Sequence, residues 1–231
     1  MSTYAQTLQS LLAQHANPAD AAPMSRYMRD QFPFLGIKTP ARRVLLKEFI
    51  AAHGLPQPGD LEAVLRELWA LPEREYQYSA FAFLDRLIKQ QPPEFVTVLE
   101  YLIVSKSWWD TVDLIAGHSV AVHFQRYPQV RETAVAAWRV SDNFWLRRTT
   151  LLFQLSYKTQ IDTDLLFSLI RENLDSDEFF IQKAIGWALR EYSKTDADAV
   201  IAFVDVTSLA PLSAREALKW LKNQGLLPDS V

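Results

Sequence analysis

Two stretches of this chain match at a shift of 35 residues: S-D-N-F-W-L-R-R-T-T at 141–150 and S-D-E-F-F-I-Q-K-A-I at 176–185. Both open with Ser-Asp and continue with an aromatic pair. The same shift back from Phe144 and Trp145 reaches Trp109 and Asp110, with the pair Trp108-Trp109 one position earlier. A further shift back lands near Pro72-Glu73, and a shift forward lands near Pro211-Leu212-Ser213. A unit of this length holds one helix pair. Such a pair cannot bury its apolar face alone and has to stack on its neighbours.

The repeat therefore points to an all-α chain, a HEAT-like α-solenoid of antiparallel helix pairs whose equivalent helices line one concave face. An irregular helical bundle is the competing reading. Apolar spacing agrees with helices: Leu61, Val64, Leu65 and Leu68 share one helical stripe, as do Ile181, Ile185, Ala188 and Leu189. Helices are expected near 2–15, 18–32, 40–53, 59–71, 73–90, 94–105, 107–126, 129–140, 143–158, 163–174, 178–194, 197–206 and 212–223. Thr39-Pro40, Ser141-Asp142, Thr163-Asp164 and Ser176-Asp177 read as helix starts. The β-branched run from Ala199 to Val206 is ambiguous alone, but its flanks favour a short helix. No long Pro/Gly/Ser linker divides the chain, so residues 1–231 are expected to form one domain.

Composition removes several classes of chemistry. The chain has no cysteine, which excludes disulfides, thiolate nucleophiles and zinc-thiolate sites. It has 6 glycines and no glycine-rich phosphate loop. The net charge of −3 argues against coating nucleic acid by bulk charge, but residues 1–50 and 101–150 each carry a basic surplus. No signal sequence and no membrane-length apolar run is present, so a soluble, cytoplasmic protein is expected. No heptad run suggests an obligate oligomer, and a monomer is expected. His118 and His123 share no helical face well and no H-E-x-x-H occurs, so no metal site is expected.

The repeat also groups particular residues. Asp113, Arg148 and Lys183 are each 35 apart and would form a charged row across three successive helices. Trp109 lies one turn before Asp113, and Trp187 one turn after Lys183. Charges between indoles are odd in a core, because unpaired charges are costly to bury, and sensible in a groove. An Asp113–Arg148 bridge between stacked repeats is the plain structural alternative. Trp69, Trp138, Trp145 and Trp220 read as packing residues, and Glu73 and Glu75 as solvated. Arg42-Arg43, beside Lys38 and Thr39 at a helix start, form a basic cluster that could contact phosphate or simply face water.

The stretches K-S-W-W-D-T-V-D (106–113), S-D-N-F-W-L-R-R (141–148) and F-F-I-Q-K-A-I-G-W-A-L-R-E-Y (179–192) resemble the AlkD family of alkylpurine DNA glycosylases. So do P-M-S-R-Y-M (23–28), F-L-G-I-K-T-P-A-R-R (34–43) and R-E-L-W-A-L-P-E-R-E (66–75). The resemblance spans nearly the whole chain and implies a HEAT-like fold. It also implies a cofactor-free enzyme that cleaves the N-glycosidic bond of cationic N3- and N7-alkylpurines in double-stranded DNA, with the lesion left stacked in the duplex. By that resemblance Asp113, Trp109 and Trp187 are catalytic, Arg148 contacts DNA, and Tyr27 approaches the lesion. Lys183, Arg43 and Thr39 are then expected at phosphates. A branch of the family that binds DNA without excision lacks part of this set. Two other readings stay open: a non-catalytic binder of damaged or branched DNA, and a protein-interaction scaffold.

Overall fold

The computed structural model describes residues 1–227, and among them no β-strand occurs. The chain falls into two compact units, Met1–Val98 and a second beginning at Leu99.

The first unit holds α1 (Thr3–Gln14), α2 (Pro18–Tyr27), α3 (Thr39–His53), α4 (Leu61–Ala70) and α5 (Arg74–Leu87). The stripe Leu61, Val64, Leu65 and Leu68 is buried, as its spacing requires. Tyr4 sets its ring edge against Phe49 and Phe83, joining α1, α3 and α5. The segment between α2 and α3 is irregular, yet its backbone amides are satisfied by Glu75. That carboxylate is fully buried and accepts N–H bonds from Leu35, Gly36 and Ile37 at 2.9–3.0 Å. The solvated reading of Glu75 is thus corrected: a carboxylate can leave water when three amides replace it. Arg74 is buried as well, its guanidinium 3.8 Å from the centre of the Phe32 ring. Gly36 has φ +88°, and a Cβ there would lie 2.0 Å from the Asn17 carbonyl oxygen, so only glycine fits F-L-G-I-K.

The division falls within α6 (Val96–Val104), after which come α7 (Trp109–Leu114), a π-helical turn (Ile115–Val120), α8 (Ala121–Arg126), α9 (Pro128–Trp138) and α10 (Phe144–Leu152). Then follow α11 (Thr163–Arg171), α12 (Phe179–Tyr192), α13 (Ala197–Val206) and α14 (Pro211–Asn223). The ambiguous 199–206 run is helical, and Asp196 caps it by accepting from the Ala199 N–H at 2.9 Å. The stretch 107–126 is interrupted by the π turn rather than running as one α-helix.

The repeat is visible atom by atom. Ser141 and Ser176 hydroxyls accept from the Asn143 and Glu178 N–H groups at 3.2 and 3.3 Å. Arg147 and Gln182, also 35 apart, donate to the carbonyls of Ser141 and Ser176. The serines therefore fasten the turn, while the capping positions are Asn143 and Glu178, two residues later than the Ser-Asp pairs suggested. Likewise α3 is capped at Lys38 with no side-chain bond, and Thr39 is already helical. The start at 163 is capped by Asp162. Trp69, Trp138 and Trp145 are buried as expected, whereas Trp220 is half-buried.

Candidate active site

Helices α7, α10, α12 and α14 pack in succession, α7 on α10, α10 on α12 and α12 on α14. Each sends charged or aromatic side chains into one cleft of about 280 Å³, lined by Trp109, Asp113, Arg148, Lys183, Trp187 and Glu216 among others. The row predicted from the 35-residue shift is real, and both flanking indoles reach the same cleft. A second cavity of about 310 Å³, around Leu151, Leu155 and Tyr192, is slightly larger, but neither a tryptophan nor an arginine lines it. Chemistry, not volume, singles out the first.

Asp113 and Arg148 form a two-pronged pair. Arg148 Nε donates to Oδ1 and Nη2 to Oδ2, both at 2.8 Å. The remaining guanidinium nitrogen donates to the Phe180 carbonyl, which α12 presents. Arg148 is 4% exposed, and its bonds in this structure run to Asp113 and to the Phe180 carbonyl. Burial pushes the Asp113 carboxyl above the ordinary aspartate range. The Arg148 hydrogen bonds and charge pull it down, and the neighbouring Asp110 adds a small upward push.

Lys183 is also engaged. Its Nζ lies 3.0 Å from Glu216 Oε1, and Arg190 Nη1 lies 2.6 Å from Glu216 Oε2. Neither Glu216 nor Arg190 was singled out from sequence. Behind the cleft stands an aromatic block: Trp108 meets Phe180 edge-on at 5.1 Å and Trp145 at 6.0 Å, and Phe144 stacks parallel to Phe180. Of the tandem tryptophans, Trp108 belongs to this block and Trp109 to the cleft: Trp108 is the extended residue that caps α7, and Trp109 is the first residue of the helix.

The other expected residues lie in the first unit. Tyr27 ends α2 with 72% of its surface exposed. Thr39 and Arg43 lie on the first turns of α3, both exposed, at a helix start whose cap offers no side-chain acceptor. Among the described residues no group of three His, Asp or Glu side chains could hold a metal ion, and no helix is long and apolar enough to cross a membrane.

A buried carboxylate held by an arginine, in a cleft that two indoles also line, marks the site of this all-α protein. The family model for DNA alkylation repair enzymes matches residues 8–221, and the chain belongs to that family. A solved structure described as a predicted DNA alkylation repair enzyme from Enterococcus faecalis is 38% identical, with a TM-score of 0.80, over 89% of this chain and 96% of that one. A comparison with curated proteins found none that matches.

Proposed function

We propose that the protein is a monofunctional DNA glycosylase that hydrolyses the N-glycosidic bond of cationic N3- and N7-alkylpurines, such as 3-methyladenine and 7-methylguanine. The observation that carries this is the Asp113 carboxylate, fixed by Arg148 in a cleft walled by Trp109 and Trp187. An alkylated purine is already positive, so the base departs without a general acid. The barrier lies in the sugar, which gains oxocarbenium character as the bond breaks. A preorganised carboxylate stabilises that charge. Raised by burial, Asp113 is also a better proton acceptor for the attacking water than a free aspartate. The indole faces of Trp109 and Trp187 add negative potential toward a cation.

A cleft of about 280 Å³ sits at the small end of ligand pockets, which suits a sugar edge approached from the backbone better than an enclosed nucleotide. Selectivity then comes from the lability of the cationic lesion. Bulky N3- or N7-adducts are tolerated and neutral bases are poor substrates; release of uracil at a comparable rate would sink this account. Tyr27, Thr39 and Arg43 supply contacts to the duplex, and the enzyme works as a cytoplasmic monomer without a cofactor. Lys183, donating to Glu216, presents no free amine for a Schiff base, so borohydride should trap no DNA adduct.

The test is base release from a duplex carrying one 7-methylguanine. Asp113→Asn should slow single-turnover release by ~10²–10³, the effect of removing one preorganised electrostatic group. Tight binding by wild type with no release would instead select the non-catalytic DNA binder, and neither binding nor release would leave the protein scaffold.

A further inference from the structure

Glu216 enters the cleft from α14, and each of its carboxylate oxygens takes one cation, Lys183 on Oε1 and Arg190 on Oε2. Its side chain is 15% exposed, against 37% for Lys183 and 26% for Arg190, so the carboxylate lies deeper than the cations it pairs. The approach is built into the helix packing. A Cβ on Gly186 of α12 would lie 2.5 Å from the Glu216 Cβ and 2.8 Å from the Ser213 carbonyl oxygen. Ser213 in turn donates its hydroxyl to the Gln182 carbonyl at 2.9 Å, locking the first turn of α14 against α12. Only a glycine lets α14 come close enough to set Glu216 between Lys183 and Arg190.

The charges lining the cleft are three cations, Arg148, Lys183 and Arg190, and two carboxylates, Asp113 and Glu216. Asp113 holds Arg148. Without Glu216, two uncompensated cations would stand in the same cleft as Asp113. They would attract any phosphate, damaged strand or not. They would also oppose the positive charge that develops on the sugar and already sits on the base. The Lys183 hydrogen bond, then the charges of Lys183 and Arg190, hold the Glu216 carboxyl below the usual glutamate range against its burial, so it remains a full negative charge at neutral pH.

We propose that Glu216 is a specificity-determining residue: it neutralises Lys183 and Arg190 beside Asp113, so that the cleft favours a cationic alkylated nucleotide over the phosphates of undamaged DNA. The inference rests on the glycosylase reading of this cleft. Glu216 acts through its two partners and touches no reacting atom.

The experiment uses Glu216→Gln, which keeps the size of the side chain and removes its charge. Affinity for an undamaged duplex should rise about threefold or more, and the slope of log K against log salt should steepen by about 1 to 2, one for each cation released. Single-turnover release of 7-methylguanine should slow about tenfold as positive potential opposes the transition state. This split, tighter binding with slower release, is one that a merely structural role does not produce; lost packing would lower both together with the melting temperature. Lys183→Met should change duplex affinity by less than about twofold in wild type, where the lysine is masked, and should cancel much of the gain in the Glu216→Gln background. A folded Glu216→Gln protein with unchanged salt slope or undiminished release overturns the proposal. Should that variant fail to fold, Lys183→Met in wild type decides alone, a loss of about one unit of salt slope being the overturning result. Wild type that neither binds duplex nor releases base overturns the glycosylase reading and this inference with it; wild type that releases base, with Glu216→Gln indistinguishable from it, overturns this inference only.

Discussion

At the scale of single residues, the proposed mechanism makes the Asp113–Arg148 pair couple stability to activity. Both groups are largely withdrawn from water, and each is satisfied mainly by the other. Removing one partner of a buried ion pair typically costs 3–5 kcal/mol, because the other charge is left uncompensated. Arg148→Met should therefore destabilise the fold by about 3 kcal/mol in denaturant titrations. It should also move the acid limb of the pH–rate profile upward, since the lowering influence on Asp113 is gone while burial remains. In the proposed mechanism the ionised carboxylate is the working form, so release should rise with pH through the Asp113 pKa, which lies above the ordinary aspartate value. Stability runs the other way. A carboxyl whose folded pKa is raised contributes most below its unfolded pKa of about 3.9, and that contribution is lost as pH rises through the folded value. Asp113→Asn should remove this dependence from the stability–pH curve while abolishing most of the activity. Glu216 has the opposite sign: its folded pKa is depressed, so its contribution is present above the unfolded value of about 4.3 and is lost as pH falls through the folded one.

At the scale of helices, α12 and α14 approach closely, and Gly186 lies at their contact. Gly186→Ala sets the small gain in helix propensity, up to about 1 kcal/mol, against overpacking of about 1–3 kcal/mol. The obstacle at 2.8 Å is a backbone carbonyl rather than a flexible side chain. The clash should win, with a net loss of about 1–2 kcal/mol in chemical denaturation. The same pair of helices explains what the sequence hid. A shift of 35 from Lys183 lands on Leu218, which is buried, whereas the side chain that completes the charged row is Glu216, two positions earlier. The last unit is slightly out of step with the others, and its charged member therefore carries no periodic signal. The π turn at Ile115–Val120 was equally silent, because helical propensity does not distinguish an i→i+4 from an i→i+5 hydrogen bond.

At the scale of the whole chain, a net charge of −3 means that any duplex affinity rests on a few placed cations rather than on the average surface. Tyr27 tests whether the first unit contributes. It ends α2 with 72% of its surface exposed. Tyr27→Ala should weaken binding of, or release from, a lesion-bearing duplex by more than its change in melting temperature accounts for. The sequence by itself determined the all-α class, the repeating helix pair, the buried stripes of α4 and α12, and the row of Asp113, Arg148 and Lys183 between two tryptophans. Periodicity is a local property, and equal spacing puts equal faces forward. Only the tertiary structure decided that Arg148 holds Asp113, that Glu75 is buried under three backbone amides, that Trp108 and Trp109 part company, and that Glu216 claims Lys183 and Arg190. Each of those depends on which charges are brought within hydrogen-bonding distance after the helices have packed, and the number of residues between two side chains does not set that distance.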